Sequence, residues 1–532
     1  MITTSEVDKG FGGRMLFRDV NVAFSAGKNY GLTGPNGSGK STLMKIMVGA
    51  EDTDRGTVKI PKRTGWLRQD HFAFDEFRVI DTVIMGNKRL WDAMVKKEII
   101  YAKEEITEDD GVELGELEGI VAEEDGYMAE SEAGNLLAGL GIHTEDHERP
   151  MSEMLGGIKV RILLAQALFG DPEALLLDEP TNHLDMESIL WLEDFLVRYS
   201  GVLVVISHDR RFLNQVCDHI ADIDYEAVIT YTGNYDEMVR TKANVRQRID
   251  KDNTNNSKKI AQLQDFIQRF GAGTRASQTR SRAKQIEKLR PDEIKRSNIA
   301  RPFIRFAFED QSGRDVLSVD QLDRAYGDNQ IFSMFCSNIQ RGDKIAILGG
   351  NGIGKTTLVE SILDEDNWNT GKVRWGHNTK IGYFGHNHRE QIEPGRTVYE
   401  WLFAHWPEKG EQHVRGVLGR MLFSGEDGKK PTATLSGGEA ARLVMCKLIL
   451  MEYNVLVLDE PTDHLDLESI SALREAIEAY QGTIFFVTHD RDLATAATRI
   501  WSFPEEGSLI DYDGKVDAYL DWYNSYYAKQ SA

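Results

Sequence analysis

The sequence predicts an α/β protein in which two tandem phosphate-loop domains are joined by a basic helical hairpin. Three observations lead to this fold class. A glycine-rich loop of the form G-x-x-x-x-G-K-[ST] occurs twice, as GPNGSGKST and as GGNGIGKTT. An apolar run ending in Asp-Glu-Pro also occurs twice, as ALLLDEP and VLVLDEP, and such runs are typical of parallel strands buried on both faces. Between the two halves lies a basic segment whose apolar residues have helical spacing. The repeat therefore predicts two similar domains, with this segment as the linker between them.

Length and composition narrow the class of protein. The 532 residues suffice for two to four domains, and 41% hydrophobic content suffices for buried cores. The formal charge of −22 argues against a protein that coats nucleic acid with its whole surface, although a local basic patch could still bind it. Three scattered cysteines give neither a disulfide framework nor a Cys-x-x-Cys metal site. No apolar run approaches the roughly 18 residues of a membrane span, and the N-terminus lacks a signal region. We therefore expect a soluble cytoplasmic protein with no membrane and no disulfide partner.

The two glycine-rich loops predict two phosphate sites. Backbone N–H groups of such a loop surround the phosphates, its lysine (Lys40 or Lys355) reaches the β- and γ-phosphates, and the next hydroxyl (Ser41 or Thr356) binds Mg²⁺. A single loop could be a chance match, but its recurrence makes that interpretation untenable. The loop residues are Gly34, Pro35, Asn36, Gly37, Ser38, Gly39, Lys40, Ser41 and Thr42, and Gly349, Gly350, Asn351, Gly352, Ile353, Gly354, Lys355, Thr356 and Thr357.

Acidic pairs follow the apolar runs. Asp178 ends the first run, where a carboxylate can hold Mg²⁺, and the adjacent Glu179 can polarise an attacking water. His208 comes thirty residues after Asp178 and can contact the γ-phosphate. A lone histidine is more often structural. However, Asp459, Glu460 and His489 repeat the set at a constant offset of 281 residues, which favours a functional role.

The first half carries an acidic insertion. The loop lysines are offset by 315 residues rather than 281, so 34 extra residues lie between loop and aspartate in the first half, roughly within 88–132. From Glu98 to Glu132 there are fourteen acidic residues and the single Lys103. A solvated, mobile excursion and a functional arm are both compatible with this pattern.

The basic segment covers residues 236–302, between a first domain at 1–235 and a second at 303–532. From Arg240 to Arg296 it has sixteen Lys and Arg against six Asp and Glu, a balance of +10 in an acidic chain. Two stretches of helical spacing flank Gly271-Ala272-Gly273, which predicts a hairpin. A soluble spacer is possible, but the charge contrast favours a polyanionic partner. The basic residues near the predicted tip are Arg275, Arg280, Arg282 and Lys284.

These residues resemble an ATP-binding cassette. In that family's terms the glycine loops are Walker A, the apolar runs are Walker B, Asp185 belongs to the D-loop, and His208 and His489 are switch histidines. The resemblance assigns Gln69 to the Q-loop and to Mg²⁺, Phe11 and Tyr326 to adenine stacking, and Ser436-Gly437-Gly438 to the signature that contacts ATP. Two positions depart from the pattern: the first signature reads Leu155-Gly156-Gly157, and His386 occupies the second Q-loop.

Two fused cassettes with a basic linker resemble the ABC-F family of translation factors, and its YbiT-like branch in particular. The resemblance implies an ATPase using ATP and Mg²⁺, an arm at 88–132, and a tRNA-interaction motif in the linker. It further implies that the ATP-bound closed form binds the ribosome near the tRNA exit site, beside peptidyl-tRNA, and that hydrolysis releases it. In the closed form each ATP would lie between one Walker A loop and the other cassette's signature. The alternatives are an ATP-gated adaptor, a transporter ATPase subunit and a DNA-maintenance ATPase.

Overall fold

A computed structural model describes most of the chain. The described residues are 1–11, 14–35, 37–67, 73–103, 106–182, 184, 186–224, 226–245, 259–260, 263, 301–327, 329–350, 352–364, 369–463, 465–504 and 508–530. Several predicted site residues lie outside these ranges, namely Asn36, Gln69, Asp185, Asn351, Arg275, Arg280, Arg282 and Lys284.

The first cassette contains two sheets. A small antiparallel sheet has the order β2-β1-β3 with β5 also paired to β1, and a six-stranded sheet has the order β10-β9-β4-β8-β7-β6. The larger sheet is parallel except for the antiparallel edge strand β10. The strands are β1 Ile2–Phe11, β2 Arg14–Val20, β3 Ala23–Phe24, β4 Lys28–Thr33, β5 Arg55–Lys59, β6 Thr64–Trp66, β7 Ala174–Asp178, β8 Val202–Ile206, β9 His219–Asp224 and β10 Ala227–Thr232.

The second cassette repeats this topology. Its antiparallel sheet has the order β12-β11-β14, and its larger sheet has the order β15-β16-β17-β13-β18-β19 with β19 antiparallel at the edge. The sequence prediction of two α/β cassettes is therefore confirmed. The strands are β11 Asp315–Tyr326, β12 Asn329–Gln340, β13 Lys344–Gly349, β14 Thr370–Trp375, β15 Ile381–Phe384, β16 Val455–Asp459, β17 Thr483–Val487, β18 Arg499–Phe503 and β19 Ile510–Asp513.

Helices cover the larger sheets and form the arm. Those of the first half are α1 Lys40–Met47, α2 Val79–Ile84, α3 Lys88–Tyr101, α4 Glu108–Glu123, α5 Ala129–Gly139, α6 Gly156–Leu168, α7 Met186–Arg198, α8 Arg210–Val216 and α9 at 235–245. Those of the second half are α10 Lys355–Leu363, α11 Val398–His405, α12 Glu411–Arg420, α13 Gly437–Met451, α14 Leu467–Ala479, α15 Arg491–Ala494 and α16 Val516–Gln530. In the part of the chain that the structure describes, no helix is long and apolar enough to cross a bilayer.

The apolar runs form the central strands because both faces of each larger sheet are covered. In β7, Leu175 and Leu177 belong to the core shared with α2 and α6, whereas Leu176 belongs to the core shared with Leu43 of α1. Successive side chains of a strand point to opposite faces, so a strand with two covered faces needs apolar residues at every position. This rigid strand carries Asp178 at its carboxyl end.

The described residues of the acidic arm are helical and pack against the first cassette. Helix α4 packs along α3 and buries Leu117 and Val121 together with Leu90 and Ile100 of α3. Thr107 begins α4 with a capping box, because its side chain accepts from the N–H of Asp110 while the Asp110 carboxylate accepts from the N–H of Thr107. Most acidic residues of α4 lie on its outer surface.

The two cassettes contact each other along α7, α8, α14 and α15. Arg491 of α15 lies 3.4 Å from Glu193 of α7, and both side chains are buried. Leu467, the first residue of α14, joins the apolar core of the first cassette. Helices α9 and α16 occupy equivalent positions, because each follows the antiparallel edge strand of its cassette.

Candidate nucleotide sites

Each Walker A loop curls around its own lysine. Lys40 Nζ donates to the carbonyl oxygens of Gly34 at 2.7 Å and Pro35 at 3.3 Å, and Lys355 Nζ donates to those of Gly349 at 3.0 Å and Gly350 at 2.9 Å. The ammonium groups are thus held inside the loops, where the phosphates of a nucleotide would lie. Burial is the largest influence on Lys40 and lowers its pKa, so an anionic ligand would favour its charged form.

The loops require glycine immediately before the helix. Gly39 has φ of 98° and Gly354 has φ of 114°, a left-handed region that other residues rarely adopt. A Cβ added at Gly354 would lie 2.1 Å from Cγ2 of Ile331, so the site would also be sterically blocked. With these turns, the N-termini of α1 and α10 face the phosphate sites.

A hydroxyl and a carboxylate are paired in each site. Thr356 Oγ1 donates to Asp459 Oδ2 at 3.0 Å, and Ser41 is hydrogen-bonded to Asp178. The other Asp459 oxygen, Oδ1, is buried without a hydrogen-bond partner among the described residues. Burial raises the pKa of both aspartates because it disfavours their charged forms, and a bound cation would counteract that effect.

These pairs fit Mg²⁺ that is bound together with a nucleotide. The described residues contain no group of three or more His, Cys, Asp or Glu arranged to hold a metal by themselves. Mg²⁺ commonly takes one or two protein oxygens and completes its octahedral shell with water and substrate phosphates. The hydroxyl–carboxylate pairs supply such oxygens at the edge of the phosphate loop.

A glutamate and a histidine face each other in both sites. The Nε2 atom of His208 lies 3.2 Å from Oε1 of Glu179, and the same atoms of His489 and Glu460 are also 3.2 Å apart. Both glutamates have left-handed backbone angles, with φ of 52° and 46°. Such strain in a non-glycine residue persists only where the surrounding structure imposes it, and it clusters at functional sites.

Burial tunes the first pair towards proton transfer. It raises the pKa of Glu179 to about 7 and lowers the pKa of His208 to about 4. Burial likewise raises the pKa of Glu460. A base works best when its pKa is close to the operating pH, so Glu179 suits the abstraction of a proton from water while His208 stays neutral.

The two signature segments differ in the structure as they do in the sequence. Ser436 caps α13 through a capping box with Glu439, accepting from its N–H at 3.3 Å. Leu155 occupies the same position before α6, makes no side-chain cap and is 75% exposed. Leu155 therefore offers no side-chain acceptor to the free N–H groups of the first turn of α6, and its exposed side chain adds no packing that would compensate.

We predict that Leu155→Ser will stabilise the first cassette and Ser436→Ala will destabilise the second. A serine at the N-cap satisfies one of the free N–H groups of the first turn, which contributes about 0.5–2 kcal/mol. Thermal unfolding of the purified variants would measure both effects, with Leu155→Ala as the control for loss of the exposed side chain. A lower melting temperature for Leu155→Ser than for Leu155→Ala would contradict the prediction.

The two aromatic residues ahead of the Walker A loops have matching positions. Phe11 ends β1 and Tyr326 ends β11, and the two rings are 52% and 51% exposed. Lys9 lies 4.9 Å from the centre of the Phe11 ring, and Arg324 lies 4.4 Å from that of Tyr326. Their exposure is compatible with stacking on adenine, which stays a prediction.

Two pockets at the cassette interface contain the Walker A loops. The first, of about 330 Å³, is lined by Gly34, Lys40 and His208 together with Leu467 and Glu468 of α14. The second, of about 1030 Å³, is lined by Gly349, Gly350 and His489 together with residues of α7 and α8. Each loop therefore faces the other cassette. Neither signature segment lines either pocket, so the structure does not bring the predicted signature contacts into place.

Sequence reasoning missed the acidic residues that begin α14. Burial lowers the pKa of Lys40, and Asp466 and Glu468 of the opposite cassette act against that effect, which places their charges near the first phosphate site. The signal was available, because the segment H-L-D-x-E-S occurs twice, at 183–188 and at 464–469. Its meaning depended on the cassette interface, which the sequence does not display.

The predicted second Q-loop residue lies close to the second site. His386 follows β15, and its Nδ1 atom lies 3.6 Å from Asp463 Oδ2. Its charge also lowers the pKa of Asp459, although burial is the larger influence on that carboxyl and raises it. A histidine at this position therefore does lie close to Asp459, the carboxylate predicted to hold Mg²⁺.

Comparison with known families agrees with this geometry. A family model described as ABC transporter matches residues 17–182 and 335–463, and a second model with the same description matches residues 221–306. The chain is 45% identical to the probable ATP-binding protein YbiT of Escherichia coli O157:H7 over 526 residues, covering 98% of this chain and 99% of YbiT. It is 34% identical to ABC transporter F family member 5 of Arabidopsis thaliana, covering 98% of this chain and 77% of that protein.

A solved structure shares the tandem arrangement. It is the archaeal ribosome recycling factor aABCE1 in complex with the ribosomal stalk protein aP1, with a TM-score of 0.61 and 18% identity. The alignment covers 98% of this chain and 92% of that chain. At this identity the likeness shows a common fold of two cassettes in one chain.

Proposed function

The chain belongs to the ABC-F family of tandem ATP-binding cassette proteins, and on that premise we propose that it hydrolyses ATP to control its own binding to the ribosome. Binding would occur in the ATP-bound closed state near the tRNA exit site, and hydrolysis would release the protein. The observation that carries the enzymatic part is the Glu–His pair, which is intact at 3.2 Å in both cassettes.

The residues of the first site define the steps of hydrolysis. Lys40 and the loop N–H groups bind the β- and γ-phosphates, and Ser41 with Asp178 would hold Mg²⁺. The ion would neutralise phosphate charge and orient the γ-phosphate. Glu179 takes a proton from water as the water oxygen forms a bond to the γ-phosphorus, and the bond to the β–γ bridging oxygen breaks to give ADP and phosphate. The backbone N–H of His208 donates to Glu179 Oε2 at 3.1 Å and orients the carboxylate, which leaves the single N–H of the neutral imidazole to donate to the γ-phosphate.

The second site repeats the same groups with Lys355, Thr356, Asp459, Glu460 and His489. Its lysine also contacts the histidine, since Lys355 Nζ lies 2.9 Å from His489 Nε2. A catalytic carboxylate in both cassettes argues against an adaptor that holds ATP without hydrolysing it.

The ribosome is supported as partner by charge and by relatives. A balance of +10 between Arg240 and Arg296 contrasts with −22 for the whole chain, which suits the phosphate backbone of RNA. One protein with the same tandem fold is described as a ribosome recycling factor. Contact with peptidyl-tRNA through the linker belongs to the same proposal.

Co-sedimentation with purified ribosomes tests the proposal. We expect the protein to pellet with ribosomes in the presence of a non-hydrolysable ATP analogue, and to stay in the supernatant with ADP or without nucleotide. Equal association in all three conditions would contradict ATP-controlled binding. Association with double-stranded DNA but not with ribosomes would favour the DNA-maintenance alternative.

We predict that the basic residues of the linker strengthen ribosome binding without contributing to ATP hydrolysis. Replacing Arg275, Arg280, Arg282 and Lys284 with glutamine should weaken association and flatten its salt dependence, because each phosphate contact adds about 0.7–0.9 to the slope against salt. ATPase activity without ribosomes should persist. The measurement is co-sedimentation at several salt concentrations.

A control variant with the same loss of charge replaces four exposed basic residues on the cassette surfaces with glutamine. These residues are Lys59, Lys62, Lys372 and Arg374. If both quadruple variants reduce binding equally, or if the linker variant binds normally at every salt concentration, the linker has no specific role in RNA binding.

A further inference from the structure

The first helix of the linker lies against the nucleotide pocket of the first cassette. Helix α9 contributes Met238, Val239 and Lys242 to the wall of the pocket that contains Gly34 and Lys40. Arg301, at the other end of the linker, lines the same pocket. Both ends of the linker therefore meet at one nucleotide site.

Lys242 connects α9 to the strand beside the Walker A loop. Its Nζ atom lies 2.5 Å from Asp222 Oδ2 and 3.4 Å from Asp224 Oδ2, both on β9. Asp222 is only 1% exposed, and its Oδ1 accepts from Thr33 Oγ1 at 3.2 Å. Thr33 directly precedes Gly34, the first residue of the loop. A chain of three side chains thus leads from the linker to the phosphate site.

The charges explain why Lys242 matters to that site. Asp222 and Asp224 are both buried carboxylates, and a negative charge beside a pocket for a polyanion opposes binding. Lys242 partly neutralises them, which also raises its own pKa against the opposing effect of burial. The sequence places Lys242 within the basic segment, but the structure turns it towards the cassette rather than towards an external polyanion.

A second contact ties α9 to the switch histidine. Arg210 Nε donates to Asp236 Oδ1 at 2.7 Å, and the Asp236 N–H donates to Asn214 Oδ1 at 3.0 Å. Arg210 begins α8 two residues after His208. The linker helix is therefore attached at both the Walker A side and the switch side of the first site.

In the described residues of the second cassette, a hydrogen bond stands in place of the Lys242 ion pair. Asp222 pairs with Thr33 in the sheet, and Ser502 occupies the equivalent register beside Leu348, which directly precedes Gly349. Ser502 Oγ lies 2.6 Å from the hydroxyl of Tyr519 in α16. A neutral hydrogen bond thus stands where the first cassette has an ion pair, and α16 does not lead into the linker.

We propose that Lys242 is a positioning residue for ATP in the first cassette, and that through it α9 responds to nucleotide in that site. The inference rests on the part of the proposed function that concerns ATP hydrolysis. It does not depend on ribosome binding. Binding of ATP–Mg²⁺ beside Asp222 changes the field around Lys242, so the α9 contacts change with occupancy.

The first experiment measures the site itself. In a Glu460→Gln background the remaining turnover reports the first site, and there we expect Lys242→Met to raise KM for ATP roughly threefold to tenfold with a smaller change in kcat. This is the order of effect expected when one charge is removed from the wall of a partly solvated pocket that binds a polyanion. Lys242→Arg should restore the wild-type KM, whereas Tyr519→Phe should leave it unchanged. An unchanged KM for Lys242→Met, or an equal rise for Tyr519→Phe, would overturn the proposal.

The second experiment measures the response of the linker helix without ribosomes. Hydrogen exchange of residues 235–245 is compared with and without ATP in the Glu179→Gln, Glu460→Gln protein. We expect ATP to change exchange in this segment, and Lys242→Met to remove the change. If Lys242→Met fails to fold, the double variant Asp222→Asn, Lys242→Met removes the buried charge together with its partner and should fold without the response.

The two outcomes separate this inference from the proposed function. An ATP response that survives in the double variant would overturn the role of Lys242. An ATP response in the wild-type helix together with absent ribosome binding would overturn the ribosomal proposal and leave the coupling in place.

Discussion

Replacing both Glu179 and Glu460 with glutamine should lower the ATPase rate at least about a hundredfold while preserving ATP binding. The amide keeps the shape of the carboxylate but cannot take a proton, and general-base catalysis contributes typically about 10²–10⁴ in rate. Lys40 and Lys355 hydrogen-bond to carbonyl oxygens of their loops and not to either glutamate, so the groups expected to bind the phosphates should stay in place. Phosphate release and binding of a fluorescent ATP analogue would measure the two properties.

The variant with both Glu179→Gln and Glu460→Gln should also remain bound to ribosomes in the presence of ATP and inhibit translation in a cell-free system. A suitable control is the double variant Glu113→Gln, Glu426→Gln, which removes the same charge at exposed positions on the arm and the second cassette. Normal turnover in the Glu179, Glu460 variant would remove both residues from the catalytic set. Loss of turnover with loss of ATP binding would assign them a structural role instead.

The two sites should contribute unequally, with Glu179→Gln alone removing most turnover and Glu460→Gln alone much less. In the expected closed form the second site combines His386 with Leu155-Gly156-Gly157, so both departures fall in one site. Leu155 has no hydroxyl to donate to the γ-phosphate, and a hydrogen bond to a charged group is worth about 1.5–3 kcal/mol. If the bond is made fully in the transition state, its loss slows the site roughly tenfold to a hundredfold.

His386 makes the second site slow rather than inactive in this interpretation. It carries no carbonyl oxygen, yet its ring nitrogen lies 3.6 Å from Asp463 and can still hydrogen-bond water. Single-turnover kinetics of the two single variants would give each rate separately, and Leu155→Ser in the Glu179→Gln background should recover part of the second rate. A larger loss from Glu460→Gln than from Glu179→Gln would overturn the assignment of the slow site.

The sequence predicted best those features that depend on local chemistry. The glycines and the lysine of each Walker A loop determine its conformation, and the buried strand before each Asp-Glu pair determines where the pair lies. The spacing of these motifs therefore sufficed to predict both sites. The arm was harder, because its acidic residues are compatible both with a solvated excursion and with a functional arm, and Gly111, Gly115 and Gly119 lower helix propensity. Packing of α4 on α3 outweighs that propensity, as tertiary contacts commonly do.

Contacts between distant parts of the chain were not predictable. Glu468 affects Lys40 only because the cassettes face each other, and the repeated H-L-D-x-E-S segment does not by itself indicate that neighbour. Lys242 counted as one of sixteen basic residues with a possible RNA partner, and only the fold shows it paired with Asp222. Charge counts along a sequence cannot distinguish a lysine that faces solvent from one that neutralises a buried acid.

The equivalence of α9 and α16 bears on how such a chain can be divided or rebuilt. Each helix completes its own cassette after the antiparallel edge strand, so the repeated module ends with this helix and not with the strand before it. A gene fusion that joined two copies of this module would place the connector after the last helix of the first copy. An engineered split of the protein should therefore leave residues 235–245 with the first half.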